Sequence, residues 1–157
     1  MSHWLLKSEP DVFGIDDLAR APKRTTGWEG VRNYQARNLL RDGLRKDDLA
    51  FFYHSSCEVP GIAGIVKVVR EAYADPSQFD RKSEYFDAAS TAEEPRWFSV
   101  DVQLVRRIMP VITLPELREH ASDELREMVV LKRGNRLSVT PVSDAEWRFI
   151  LSLRERR

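Results

Sequence analysis

LAFFYHSSCEVPGIAGIVKVVR, residues 49–70, decides the fold class. Residues 49–54 form an unbroken apolar and aromatic run. Residues 61–70 form a second run rich in β-branched side chains, the composition of strands. The polar residues 54–60 between them read as a loop. Gly61 and Gly64 sit inside the second run, where a missing side chain marks a bend or a close backbone approach. Towards the N-terminus, residues 3–7 make a short apolar strand that Ser8, Glu9 and Pro10 stop. Residues 15–20 are a helical turn with Asp16 and Asp17 at its start, where the helix dipole favours acids. Residues 21–32 contain Pro22, Gly27 and Gly30 and read as a loop, which carries Trp28. Asn33 suits a helix N-cap, and Ala36, Leu39, Leu40 and Leu44 then fall at helical spacing. Arg37, Arg41 and Arg45, four apart, would share another face of that helix and repel by a few tenths of a kcal/mol per pair, roughly.

Towards the C-terminus, residues 71–95 are acidic and hold Tyr73, Phe79, Tyr85 and Phe86, an excursion ordered by its aromatics. Residues 97–106 alternate: Phe98, Val100, Val102 and Leu104 face one way, and Trp97, Ser99, Asp101 and Gln103 the other. Trp97 is thereby expected on the polar face. Thr113, Pro115 and Glu116 open a helix with a capping box. A further helix over 123–131, a strand over 136–142 and a helix opened by Ser143 and Glu146 complete the chain. Trp147, Ile150 and Leu151 share one face of the last helix, and Trp4 and Trp147 lie in apolar patterns that predict core. Strands and helices do not alternate as βαβ. The class is α+β, a small bent mixed or antiparallel sheet closed wholly or partly into a barrel, with peripheral helices. Residues 1–157 are expected to form one domain.

The chain is 42% hydrophobic and 32% charged, which excludes a disordered polymer. Net charge is zero, against bulk coating of nucleic acid, yet residues 20–46 carry eight basic and two acidic side chains. Residues 71–94 carry seven acidic and two basic ones. Both segments read equally as solvated faces. Cys57 is the only cysteine, and with His3, His54 and His120 scattered it builds neither a disulfide nor a zinc site. No signal peptide or membrane span is legible, so a cytoplasmic location and no membrane partner are expected.

No nucleophile elbow, H-E-x-x-H or P-loop occurs. His54 and Cys57, three apart, are the one pairing that suggests a thiol nucleophile with its base, and their loop gives no assurance of contact. No cofactor or metal is implied. What remains is aromatic and polar residues on loops: Trp28 between glycines, the patch Tyr53, His54, Ser55 and Ser56, and Trp97. Such rings stack on a planar base, while serine, asparagine and histidine bond its edge. Trp28 serves equally as an apolar plug over the sheet.

The stretches LLKSEP (5–10), WEGVRNYQARN (28–38), FFYHSS (51–56), GIAGIVKVV (61–69), PRWFSVDV (95–102) and RLSVTPV (136–142) occur in the order, and nearly over the length, of an EVE domain. The chain closely resembles that family, including its thymocyte nuclear protein group, but without a basic N-terminal tail. The resemblance implies a PUA-like fold, a bent barrel with helices outside, and kinship with YTH domains, which read methylated adenine in RNA. It implies a reader of modified bases in DNA or RNA, modified cytosines among them; with no catalytic motif legible, binding without catalysis is expected, and a monomer. The pocket it implies lies between barrel and loops, with Ser8, Trp28, Asn33, Tyr53, His54, Ser55 and Trp97 as ligand-binding residues. Lys7 and Arg32 are the nearest cations for a phosphate, joined by the Arg37, Arg41 and Arg45 row. Cys57 departs from the polar residue frequent nearby in the family. Two other functions stay open: an enzyme acting on a modified nucleotide or nucleoside, with His54 as its acid or base, and a protein-interaction module.

Overall fold

In the computed structural model, which describes residues 2–132 and 136–154, six strands form one mixed sheet. They are β1 (His3–Ser8), β2 (Thr25–Gly27), β3 (Leu49–His54), β4 (Gly61–Ala74), β5 (Phe98–Thr113) and β6 (Val139–Val142), in the spatial order β2-β5-β4-β3-β1-β6. β1 and β3 run parallel, His3 beside Leu49 through Ser8 beside His54. The other neighbours are antiparallel. Around the sheet lie α1 (Pro10–Phe13), α2 (Ile15–Arg20), α3 (Tyr34–Asn38), α4 (Leu114–Arg118) and α5 (Asp144–Ser152). The α+β class stands.

Both faces of the central strands are covered, which is why β3 reads as an unbroken apolar run instead of an alternation. Trp4, Leu6, Ala50 and Phe52 join one core with Ile15, Leu18, Ala36 and Trp28. Leu5, Phe51 and Tyr53 join a second core with Leu117, Trp147 and Ile150. Trp4 and Trp147 are core residues as expected, the latter stacked on Phe51 at 4.0 Å. Each fully buried phenylalanine here contributes about 1.5–3 kcal/mol by leaving water.

The expected closure into a barrel does not occur: β2 and β6 remain separate edges among the described residues. β2 has only three residues, and the core beneath is filled by α2, α3 and Trp28 instead of by a facing strand. Bending comes from the repeated register shifts between β4 and β5. Gly61 and Gly64 permit it. A Cβ on Gly61 would run into the Ile112 carbonyl, and one on Gly64 would lie 2.7 Å from Ile15 Cδ1.

Two helical expectations change. After Asn38 the chain takes a π turn, Leu39–Gly43, closed by Leu44 N–H to the Leu39 carbonyl at 3.0 Å. Gly43 lies against Trp4, where a Cβ would be 2.8 Å from the ring. The wider turn breaks the α-helical phase and leaves Arg45 beyond it, so Arg37, Arg41 and Arg45 do not form one helical face. Residues 123–131, expected as a helix, are turns ending in the 3-10 turn Val129–Leu131. Buried Leu125 and Met128 anchor that segment without a helical ladder. Asn33, Thr113 and Ser143 each accept from a backbone N–H three residues on, but only Ser143 and Glu146 complete a capping box; the one expected at Thr113 lacks its return bond because Glu116 pairs with Arg154 instead.

Candidate functional site

A cleft of about 670 Å³ opens where the end of β1, α1, the loop after β2 and Ser55–Ser56 converge. That size suits a small planar ligand. Trp28 is its floor. The ring is only 7% exposed and packs edge-on against Phe52 at 5.4 Å, and the residue's backbone N–H donates to the Val100 carbonyl at 2.7 Å. It is therefore both things the sequence allowed, a buried plug on one side and a cleft wall on the other.

Gly30, at φ +85°, brings the backbone onto the Tyr85 ring, where a Cβ would sit 2.7 Å away. Only glycine takes that conformation without strain. The wall is completed by Phe13, Glu29 and Tyr85, and Lys7 and Arg136 bring positive charge to it. Burial, reinforced by Asp75 and Asp101, raises the Glu29 carboxyl pKa despite Arg32. Burial lowers the Lys7 pKa, and its ammonium has no hydrogen bond or ion pair among the described residues.

Arg32 lines the cleft but is a clamp. Its five N–H donors are all engaged: Nε and Nη2 with the Tyr85 carbonyl, Nη2 with Ser77 Oγ, and Nη1 with the Val31 carbonyl and Asp75 Oδ2. Asp75 is fully buried and also accepts from Gly30 N–H and Ser77. This network holds the acidic excursion against the loop that carries Trp28. No donor of Arg32 remains for a phosphate.

Trp97 belongs to the same scaffold and lines neither cleft. It was expected on a polar face, yet it is 7% exposed because the excursion folds over it. Its Nε1 donates to Asp87 at 2.7 Å, its ring stacks on Tyr34, and Gln78 bonds its backbone in both directions. Asn33 caps α3 through Oδ1 and lines neither cleft. Arg37 bonds Asn38 and the Arg96 carbonyl, Arg41 pairs with Asp42, and Arg45 with Glu71, all away from the cleft.

Ser8 and Ser55 do line the cleft, joined by Ser55 N–H to the Ser8 carbonyl. His54 does not: its Nε2 accepts from Ile15 N–H at 3.1 Å, and burial lowers its pKa. The ring is held neutral with that lone pair engaged, which leaves it poorly placed as a general base. Tyr53 points to the other face of β3 and lines a second cleft of about 680 Å³ with Cys57 and Arg118.

The sequence missed four wall residues. Tyr85 was noted only as one of several aromatics and nothing local distinguished Phe13, whereas Glu29 and Arg136 lie inside the stretches WEGVRNYQARN and RLSVTPV, the signal that could have found them.

The EVE domain profile matches residues 2–153. Thymocyte nuclear protein 1 from Homo sapiens is 45% identical over 170 residues, covering 99% of this chain and 75% of that protein. Its Gallus gallus counterpart is 46% identical, with 99% and 69% covered. Among solved structures, human THYN1 protein in complex with 5-methylcytosine-containing DNA superposes with a TM-score of 0.94 at 45% identity, covering 100% of this chain and 99% of that one. A Pseudomonas syringae protein superposes at 0.92 with 46% identity, covering 98% and 99%. These relatives correct the expected cytoplasmic location: the vertebrate proteins are nuclear by name, and the human one is crystallised with DNA.

Proposed function

The chain belongs to the EVE domain family, and on that premise we propose that it is a non-catalytic reader of a modified base in DNA. It acts as a single-domain monomer without a cofactor. The base leaves the duplex and enters the Trp28 cleft. The observation that carries this reading is the full-length superposition on a relative held in complex with 5-methylcytosine-containing DNA. The cleft supplies what such a base needs: an apolar floor at Trp28, aromatic walls at Phe13 and Tyr85, and hydrogen-bonding groups at Ser8, Ser55 and Glu29. A carboxylate accepts from the exocyclic amine of a cytosine. Extruding a base costs a few kcal/mol, roughly. Stacking returns about 1–3 kcal/mol per base, so cations at Lys7 and Arg136 must add phosphate attraction.

An enzyme acting on a free nucleotide is disfavoured by the engaged lone pair of His54. The test is a set of short oligonucleotides differing at one position: cytosine or 5-methylcytosine, in duplex DNA and in RNA. Binding to the methylated DNA duplex should be at least tenfold tighter, and unchanged on long incubation because nothing is turned over. Equal affinities across the set would remove it.

A further inference from the structure

Lys7, Ser55 and Ser56 line both clefts and form the partition between them. On the far side of that partition, the charged residues of the second cleft are Lys7, Arg118 and Lys132, all cationic. The first cleft, by contrast, includes Glu9 and Glu29. Lys132 is occupied, its ammonium donating to the Arg126 carbonyl at 3.0 Å and lying 3.7 Å from Glu127. Lys7 and Arg118 have no ion pair among the described residues. Lys7 is half-buried, and Tyr53, only 3% exposed, lines the same space beside Cys57. The Ser55 and Ser56 hydroxyls add donors without a partner among the described residues. Two cations, one of them partly desolvated, and the two serine side chains around a cavity are a donor set for an oxyanion. Desolvation strengthens that attraction over the same charges in open water.

We propose that the second cleft binds the phosphodiester backbone beside the extruded base, with the partition passing the strand from one cleft to the other. This rests on the reader assignment above, since it takes the base in the first cleft as its fixed point. The charges differ accordingly: the first cleft mixes Glu9 and Glu29 with its cations, whereas every charged side chain of the second is a cation. A phosphate contact positions the strand and carries no base identity.

Arg118 tests this without disturbing the base cleft, because it is exposed at the end of α4 and lines only the second cleft. In Arg118→Gln, the slope of log K against log salt should fall by about one. Affinity should fall by the same factor for cytosine and 5-methylcytosine duplexes. Cys57 supplies a local probe, since it lines only the second cleft. Its alkylation by iodoacetamide should slow at least tenfold when duplex DNA saturates the parent protein. An unchanged salt slope together with unprotected Cys57 would overturn the proposal. If the slope falls and Cys57 is protected, but the parent shows no preference for the methylated duplex, the phosphate cleft stands and the reader assignment fails.

Discussion

Replacing Trp28 with alanine should damage the fold as well as the affinity, and the two losses can be separated. A buried tryptophan covers roughly 150–250 Å², which at about 25 cal/mol per Å² is ~4–6 kcal/mol. Truncating a buried tryptophan to alanine costs about 3–5 kcal/mol. Trp28 is 7% exposed and abuts Phe52, but one side borders a solvated cleft, so the lower end of about 3 kcal/mol applies. At roughly 2–4 °C per kcal/mol for a chain of this length, Tm should fall by about 6–12 °C. Thermal unfolding followed by circular dichroism reads this directly. Fluorescence anisotropy, well below the lowered Tm, should show affinity for the preferred modified duplex reduced by about 1–3 kcal/mol. Trp28→Phe should keep most of the stability and part of the affinity. A Tm change below about 2 °C for Trp28→Ala would refute its place in the core. A large Tm loss with unchanged preference between methylated and unmethylated duplex, in both variants, would refute its place in the base site.

Arg32→Ala should cost about 3–5 kcal/mol, because it leaves buried Asp75 without its cation; a denaturant midpoint close to the parent's would contradict the clamp. Arg32→Lys should fail to rescue it, since one ammonium cannot reproduce a planar fork engaging Tyr85, Asp75, Ser77 and Val31 together. His54 has a folded-state pKa below its ordinary 6.5, so the unfolded chain takes the proton first as pH falls. Its stabilising contribution is complete above that value and is lost as pH drops through 6.5 towards the folded pKa. Urea midpoints from about pH 8 to about pH 5 should decline less steeply in His54→Gln than in the parent. Changing Arg37, Arg41 and Arg45 together to Gln should leave the salt slope of DNA binding near the parent's, since these side chains lie off both clefts; a fall of about three would place the DNA across them instead.

What was legible in the sequence follows from local physics. β3 was readable to the residue because a strand buried on both faces is uniformly apolar, and the caps at Asn33, Thr113 and Ser143 were readable because each is a short-range bond. Gly61 and Gly64 announced a close approach without naming Ile112 or Ile15 as the neighbour. The errors fall where distant residues decide. The π turn ends where Gly43 meets Trp4, nearly forty residues away, a contact that helical spacing alone does not announce. Trp97 alternates onto the polar face of its strand, and only the excursion closing over it through Asp87 and Gln78 makes that face an interior. Arg32 looks like a free cation until Asp75 is seen beneath it. Of the residues singled out in the sequence, Ser8, Trp28 and Ser55 line the cleft, while Asn33, His54 and Trp97 do not. Tyr85 reaches the cleft from outside every quoted motif, and Arg136, though it opens RLSVTPV, comes from the far end of the chain.

The central claim is that the methylated base leaves the helix to be read over Trp28, and extrusion can be observed directly. A duplex carrying 2-aminopurine next to a single 5-methylcytosine is quenched by stacking, and it brightens when its neighbour leaves the stack. Titrating the protein into this duplex should raise the emission along the same curve as anisotropy. The matched unmethylated duplex should show a smaller rise at higher protein concentration. Saturated binding to the methylated duplex with no change in 2-aminopurine emission would mean that the base stays stacked, and would contradict the account.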